Sequence, residues 1–167
     1  MTNPTNLMFQ QYEQKMVDAG LVASGAPVMG FLDARLDWNR EAAIVPELEN
    51  VIQGLSMNSI LFSPPAEPYR TIIDYLSETA VGVIYPQDCE TRTFLHDLPV
   101  TSGLDAGRII SLLKKRKGVI IPQTGLITYG LVSLEQAYVT YSSICFACFV
   151  KFFKDFLSVN PGNARPP

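Results

Sequence analysis

The sequence predicts an α/β fold, in which helices cover a mixed sheet in an αβα sandwich. Helical and extended patterns alternate along the chain and end in a strand, a turn, a second strand and a long helix over Lys114–Leu157. The chain has 167 residues, 47% of them hydrophobic, which is enough for one well-formed core. We therefore expect a single domain over residues 1–157 and a flexible Pro-rich tail over 158–167.

The first third of the chain predicts two helices and two strands. Pro4–Ala19 has a loose helical periodicity and is followed by a glycine-rich loop. Phe31–Trp38 alternates apolar with polar side chains, which indicates one strand with a solvent-exposed face. A short helix over Val45–Gly54 and a strand over Ile60–Phe62 follow.

The middle of the chain continues the alternation. Glu67–Leu76 predicts a helix with Pro68 in its first turn, where proline is tolerated. The apolar run Ala80–Tyr85 suits a central strand, and Pro86–Asp97 is interpreted as a polar loop. Leu104–Lys117 predicts a helix whose final KKRK sequence complements the helix dipole.

A hairpin and a capped helix complete the pattern. The apolar runs Gly118–Ile121 and Leu126–Gly130 flank the turn sequence PQTG. Ser133 and Gln136 form the S-x-x-Q capping box, which predicts that a helix begins at Leu134. Apolar residues surround most of this helix, so we expect it to be buried on two sides.

The three cysteines bear on the cellular compartment. Cys145 and Cys148 lie one turn apart on the same face of the long helix, among apolar neighbours. We interpret them as free, buried thiols, which indicate a reducing compartment. A zinc-binding or redox-active C-x-x-C pair is the alternative.

The composition argues against several classes of protein. Charged residues make up 17% of the chain and the net charge is −3, which does not suit a nucleic-acid-binding surface. The N-terminal segment does not resemble a secretory signal. The uncharged stretch Ala137–Val150 has 14 residues, fewer than the roughly 18–20 that a bilayer span requires. We expect a cytoplasmic protein without a nucleic-acid or membrane partner.

The C-terminal pattern has a family resemblance. A strand, the turn P-x-x-G, a second strand, Gly130 and the sequence SLEQAY lead directly into the helix. This arrangement resembles the C-terminal half of the class II aldolase/adducin family, in which the turn usually reads Asn-His-Gly. The resemblance extends over most of residues 10–157. It implies an αβα sandwich with a mixed, largely antiparallel central sheet, a zinc site and a cyclic tetramer.

The resemblance also implies ligand-binding positions. In the family, amides of a glycine-rich loop bind a substrate phosphate or carboxylate, because small residues allow the backbone to approach closely. Ser24, Gly25 and Gly30 correspond to that loop, and Thr124 and Gly125 lie in the turn. A plain connection between helix and strand is the alternative interpretation of the loop.

The residues that the family uses for chemistry are mostly replaced. Glu67 corresponds to a glutamate that acts as a general acid/base or a metal ligand, although it also suits a helix N-terminus electrostatically. Pro86, Asp88 and Thr124 stand where the family has three zinc-binding histidines. Proline cannot bind zinc and a threonine hydroxyl is a poor ligand, so we expect no zinc cofactor.

The segment after the apolar run carries the remaining catalytic candidates. Asp88, Glu90 and Glu67 could form an oxygen-rich Mg²⁺ or Ca²⁺ site. Arg92 could instead hold a carboxylate or phosphate, with His96 as an acid/base. A salt-bridged structural loop is the third interpretation.

Two functions therefore remain open. The first is a non-catalytic or repurposed oligomer, most simply a homotetramer, that binds a small acidic ligand. The second is a lyase or isomerase that acts on a small phosphorylated or carboxylated compound with a different metal or none. The missing imidazoles favour the first, and the aromatic long helix supports assembly.

Overall fold

The computed structural model describes residues 4–159, which form helices and strands in alternation. The helices are α1 (Pro4–Asp18), α2 (Val45–Gln53), α3 (Tyr69–Thr79), α4 (Cys89–Leu95), α5 (Ala106–Leu113) and α6 (Leu134–Val159). The strands are β1 (Val28–Leu32), β2 (Leu36–Trp38), β3 (Ser59–Ser63), β4 (Val83–Ile84), β5 (Leu98–Pro99), β6 (Gly118–Ile121) and β7 (Gly125–Gly130).

Five strands form one antiparallel sheet in the order β2-β1-β3-β7-β6. Side chains of β3 alternate between the two faces of this sheet, so Leu61 packs into one core while Ile60 and Phe62 pack into the other. Both faces are covered, which explains why the inner strands β3 and β7 and the strand β6 are largely apolar and buried. β4 and β5 form a separate antiparallel pair, and a parallel bridge joins Val100 to Ile120.

The two faces of the sheet carry different helices. The first core contains residues of α1, α3 and α6, such as Met16, Ile73 and Tyr141. The second core contains residues of α2 and α5, such as Leu48 and Ile109. The αβα sandwich with a largely antiparallel sheet is therefore confirmed.

Two predicted strands are wrong in detail. Phe31–Trp38 is not one strand, because the chain reverses between β1 and β2 and the Asp33 amide donates to the Arg35 carbonyl. Alternation of polar and apolar residues continues through this tight turn, so it does not reveal the reversal. Ala80–Tyr85 is not a central strand. Gly82 adopts a positive φ of 76° and only the two residues of β4 pair.

The polar segment interpreted as a loop is instead the helix α4. The Asp88 carboxylate caps it by accepting hydrogen bonds from the backbone amide and the hydroxyl of Thr91. Aspartate is a preferred N-cap residue, so Asp88 itself is a helix-start signal. The sequence interpretation missed it because the segment lacks an apolar stripe.

The helix predicted over Leu104–Lys117 is shorter than expected, because α5 begins after the Asp105 cap and ends at Leu113. The KKRK sequence begins at the C-cap residue Lys114, so these cations lie at and just beyond the end of α5, and their complementing of the helix dipole stays a prediction. Arg116 forms a salt bridge with Asp97.

The long helix begins at Leu134 as predicted, and Gln136 Oε1 accepts hydrogen bonds from the amides of Leu131 and Val132. Burial on two sides is wrong for the single chain, because Phe146 and Phe153 are exposed. The helix runs to Val159, so it includes the first two residues of the predicted tail, whose remainder lies outside the described residues. No helix within residues 4–159 is both long and apolar enough to cross a membrane.

The cysteines of α6 are free thiols in the core, as predicted. Cys145 and Cys148 are buried, and burial raises the pKa of both thiols, that of Cys148 to about 12. Thiolate is the reactive form, so a raised thiol pKa makes both residues unreactive at neutral pH.

Cys89 is exposed whereas Cys145 and Cys148 are buried, and this difference predicts how the three thiols react with Ellman's reagent. We expect one thiol per chain to react in the folded protein, because Cys89 alone among the three is exposed, and three to react in denaturant. The control is Cys89→Ser, which should leave no fast-reacting thiol in the folded state. Rapid reaction of two or more thiols in the native protein would contradict the burial of α6.

Candidate functional site

The turn between β6 and β7, where the resemblance places a zinc ligand, lies against α3. Asp74 Oδ1 of α3 accepts a hydrogen bond from the Gln123 amide at 2.8 Å. The Thr124 amide donates to the Ile121 carbonyl at 3.0 Å. A Cβ added to Gly125 would lie 2.7 Å from the Ser63 carbonyl oxygen, so only glycine fits there without backbone movement. The turn is thus held tightly on both sides.

A narrow cleft remains between this turn and α3. Its lining includes Arg70 and Asp74 together with Thr124 and Gly125, and its volume is about 10 Å³. That volume is close to the space needed by a single water molecule. Arg70 and Asp74 were not among the predicted site residues. Their spacing of four residues, which places two polar side chains on one face of α3, is the signal that could have suggested them.

None of the predicted catalytic residues lines this cleft, namely Glu67, Asp88, Arg92 and His96. Glu67 lies just before α3, where its Oε2 accepts hydrogen bonds from the Thr71 hydroxyl at 2.7 Å and from the Thr71 amide at 3.3 Å. Glu67 is exposed and caps the helix start, in agreement with the electrostatic interpretation. A catalytic role for Glu67 stays a prediction.

Asp88, Arg92 and His96 lie along α4 rather than around one centre. Burial raises the pKa of Asp88, but the hydrogen bonds from Thr91 outweigh it and hold that pKa below its ordinary value. His96 closes the helix with a positive φ of 65°, and its amide donates to the Arg92 carbonyl. Asp88 and His96 are eight residues apart, which on a helix is about 12 Å. They do not converge on one reacting group along this helix.

The glycine-rich loop is occupied by an internal carboxylate. The Gly25 amide donates to Glu13 Oε1 at 2.8 Å, and Arg40 Nη2 lies 2.7 Å from Glu13 Oε2. Gly30 packs under the Trp38 ring, which an added Cβ would approach to 2.7 Å. Ser24 is exposed. Anion binding by these residues stays a prediction, and it would require a ligand to compete with the Glu13 carboxylate.

The residues at the expected metal positions do not fit a zinc ion. Of Pro86, Asp88 and Thr124, only Asp88 offers a good ligand, and its carboxylate already caps α4. Within residues 4–159, no group of three or more His, Cys, Asp or Glu side chains is arranged to hold a metal ion. The described chain therefore does not assemble the Mg²⁺ or Ca²⁺ site that Asp88, Glu90 and Glu67 could have formed.

The layered architecture defines the fold class. An antiparallel five-stranded sheet lies between two helical layers, and its last hairpin leads into the long helix that packs on the sheet. This is the class II aldolase/adducin-like fold.

Solved structures of known aldolases share the fold at low sequence identity. The chain is similar to an L-fuculose-1-phosphate aldolase from Thermus thermophilus, with a TM-score of 0.75, 12% identity, and coverage of 90% of this chain and 94% of that one. A sugar-phosphate aldolase from Thermotoga maritima gives a TM-score of 0.66, 10% identity, and coverage of 98% and 97%.

The chain is also similar to YgbL from Escherichia coli, which is provisionally described as an aldolase/epimerase/decarboxylase. The TM-score is 0.73 and the identity 11%, with coverage of 89% of this chain and 88% of that one. Scans against protein-family models and curated proteins find no match. The similarity therefore establishes the fold and leaves the activity to be argued from the residues.

Proposed function

We propose that this protein is a class II aldolase-like scaffold that has lost zinc chemistry, assembles into a homo-oligomer and binds a small acidic ligand. The proposal rests on one observation: the residues at the positions where the family binds zinc have structural contacts instead. Asp88 caps α4, and Thr124 lies in a turn that leaves only a water-sized cleft. These contacts stabilise the fold without presenting an open metal coordination position.

The glycine-rich loop of this chain, which corresponds to the loop that binds substrate anions in the family, supports the loss of aldolase chemistry. The Gly25 amide in this loop is already paired with Glu13, and Arg40 neutralises that carboxylate. A small acidic ligand is too large for the water-sized cleft and would instead meet Arg70 at the cleft's outer edge, because Arg70 is exposed and has no salt bridge among the described residues. Arginine suits this task because its guanidinium binds carboxylates in a bidentate manner.

The outer face of α6 supports assembly. Phe146, Phe149, Phe153 and Phe156 form an aromatic stripe with spacings of three and four residues, so they lie on one face of the helix. Each is between 36% and 51% exposed in the single chain. A contiguous apolar surface of this kind marks an interaction site. A second copy of the chain is the simplest cover for it, because closed symmetry hides the stripe on every subunit.

Metal analysis tests the loss of zinc chemistry. We expect protein purified without chelator to contain far less than one zinc per chain. Thr124→His should bind no measurable zinc by calorimetry, because it supplies one of the three ligands that a catalytic site needs. Thr124→Ser is the matched control. The combination of Pro86→His, Asp88→His and Thr124→His tests whether the scaffold can still position a zinc site.

Close to one zinc per chain in the unmodified protein would overturn the proposal. Zinc that disappears in Cys145→Ser would mean that the core thiols bind it. Measurable zinc affinity in Thr124→His alone would reveal ligands already present beside the turn.

The alternative is a lyase or isomerase that uses Glu67 and the Asp88–His96 segment. Aldol cleavage of a small sugar phosphate that is abolished by Glu67→Gln, but not by Glu78→Gln in the last turn of α3, would favour it. Absence of turnover by the unmodified protein with added Zn²⁺ or Mg²⁺ would favour the non-catalytic function. The engagement of Glu67 with Thr71 argues for the second outcome.

A further inference from the structure

A groove lies at the opposite end of the β6–β7 hairpin from Thr124. It runs between α4 and the first turns of α6, and its volume is about 490 Å³. That volume lies within the range of small-molecule sites, about 300–1,000 Å³. The four residues of β6 separate it from the turn, which is about 13 Å along the strand. The groove is therefore distinct from the aldolase-like cleft.

Lys117 provides a positive charge at one wall of this groove. Its Nζ lies 3.6 Å from the centre of the Phe94 ring, which is a cation–π contact. Lys117 has no salt bridge among the described residues, whereas the adjacent Arg116 is paired with Asp97. The aromatic ring positions this ammonium group without neutralising it, so its charge remains available to an anion.

Apolar side chains form the body of the groove. Leu131 and Val139 line it together with Phe94, and they are 56% and 42% exposed. Exposed aliphatic side chains beside an unneutralised cation suit a ligand with an apolar body and one anionic end. Glu135 also lines the groove and repels anions, so the ligand's negative charge must lie at Lys117 and a second negative charge would be unfavourable.

We propose that this groove binds a small organic acid that has a single carboxylate and an apolar body. The carboxylate pairs with Lys117 Nζ, and the apolar body lies on Leu131 and Val139. The site does not depend on whether zinc chemistry is lost at the cleft near Thr124.

The test uses two probes of closely similar shape, 2-naphthoate and uncharged 2-naphthamide, titrated by calorimetry. We expect naphthoate to bind about fivefold more tightly, the contribution of one exposed ion pair. Lys117→Met should remove that difference, because it keeps the apolar stem and deletes the charge. Lys115→Met is the matched control, and it should leave the difference unchanged.

A second control separates the groove from the aromatic stripe. Phe153→Ser should leave naphthoate binding unchanged, because Phe153 does not line the groove. Equal affinity of the two probes, no measurable naphthoate binding, or an unchanged difference in Lys117→Met would each overturn the proposal. The proposal would also be overturned if Phe153→Ser lost naphthoate binding while Lys117→Met bound naphthoate normally, since the probe would then lie on the aromatic stripe.

Discussion

Gly130→Ala should destabilise the protein by about 3 kcal/mol, at the upper end of the usual cost of overpacking. Gly130 ends β7 where the chain turns into α6. A Cβ added there would lie 2.0 Å from the Ser133 carbonyl oxygen and 2.6 Å from the Ser59 hydroxyl. The Ser59 hydroxyl donates to that same carbonyl, so relief of the clash would break a partly buried hydrogen bond between β3 and the start of α6. Equilibrium urea denaturation measures the loss.

Gly107→Ala is the matched control for this prediction. Gly107 lies within α5, and an added Cβ there would meet only the Asp105 carboxylate at 3.6 Å. We expect that change to be neutral or stabilising by up to about 1 kcal/mol, because alanine favours a helix interior over glycine. Both variants must be compared at one protein concentration, since assembly contributes to apparent stability. A cost below about 0.5 kcal/mol for Gly130→Ala would show that the backbone of Ser133 moves aside easily.

The hairpin and the long helix were predictable because their signals are local. Two apolar runs around PQTG define β6 and β7, and the spacing of Gln136 from Ser133 places the start of α6. Local signals failed where one pattern fits two structures. The alternation over Phe31–Trp38 is equally compatible with a strand and with two short strands around a tight turn. The run Ala80–Tyr85 is apolar, but Gly82 turns the chain and leaves Val81 fully exposed.

The candidate site was less predictable, because its contacts join residues that are distant in sequence. Asp74 and the Gln123 amide are 49 residues apart, and Gly25 meets a carboxylate 12 residues upstream. Nothing in a local pattern identifies such partners. The sequence does show which imidazoles are replaced, but it does not show that Asp88 is used as a helix cap or that Lys117 lies over an aromatic ring.

The aromatic stripe is apolar surface of α6 that the rest of the single chain leaves uncovered. The buried residues of this helix end at Cys148, whereas the helix continues to Val159. In its second half, every described side chain after Cys148 is half-buried or exposed. There, Phe149 contacts Tyr69 and Phe153, and Phe152 contacts Tyr75, so the rings support one another while remaining partly exposed. A preorganised cluster of rings loses little conformational entropy on binding, which favours its use as an interface.

Phe146→Asp should therefore dissociate or precipitate the oligomer. Light scattering after size exclusion is expected to give an oligomer, most simply a tetramer, for the unmodified protein at micromolar concentration. Burial of an unpaired carboxylate in the interface costs several kcal/mol, and each 1.4 kcal/mol weakens association about tenfold, so we expect a loss of at least about 100-fold. Phe153→Asp should act alike, because it lies two turns along the same stripe.

Val81→Asp is the control for the added charge, because Val81 is fully exposed and lies outside α6. It should leave the oligomer intact. Circular dichroism of each variant distinguishes dissociation from unfolding, since aspartate within a helix costs less than about 1 kcal/mol and should not melt α6. A monomer for the unmodified protein would remove the support for assembly through the stripe. Dissociation by Val81→Asp but not by Phe146→Asp would place the interface at the β4 end of the molecule instead.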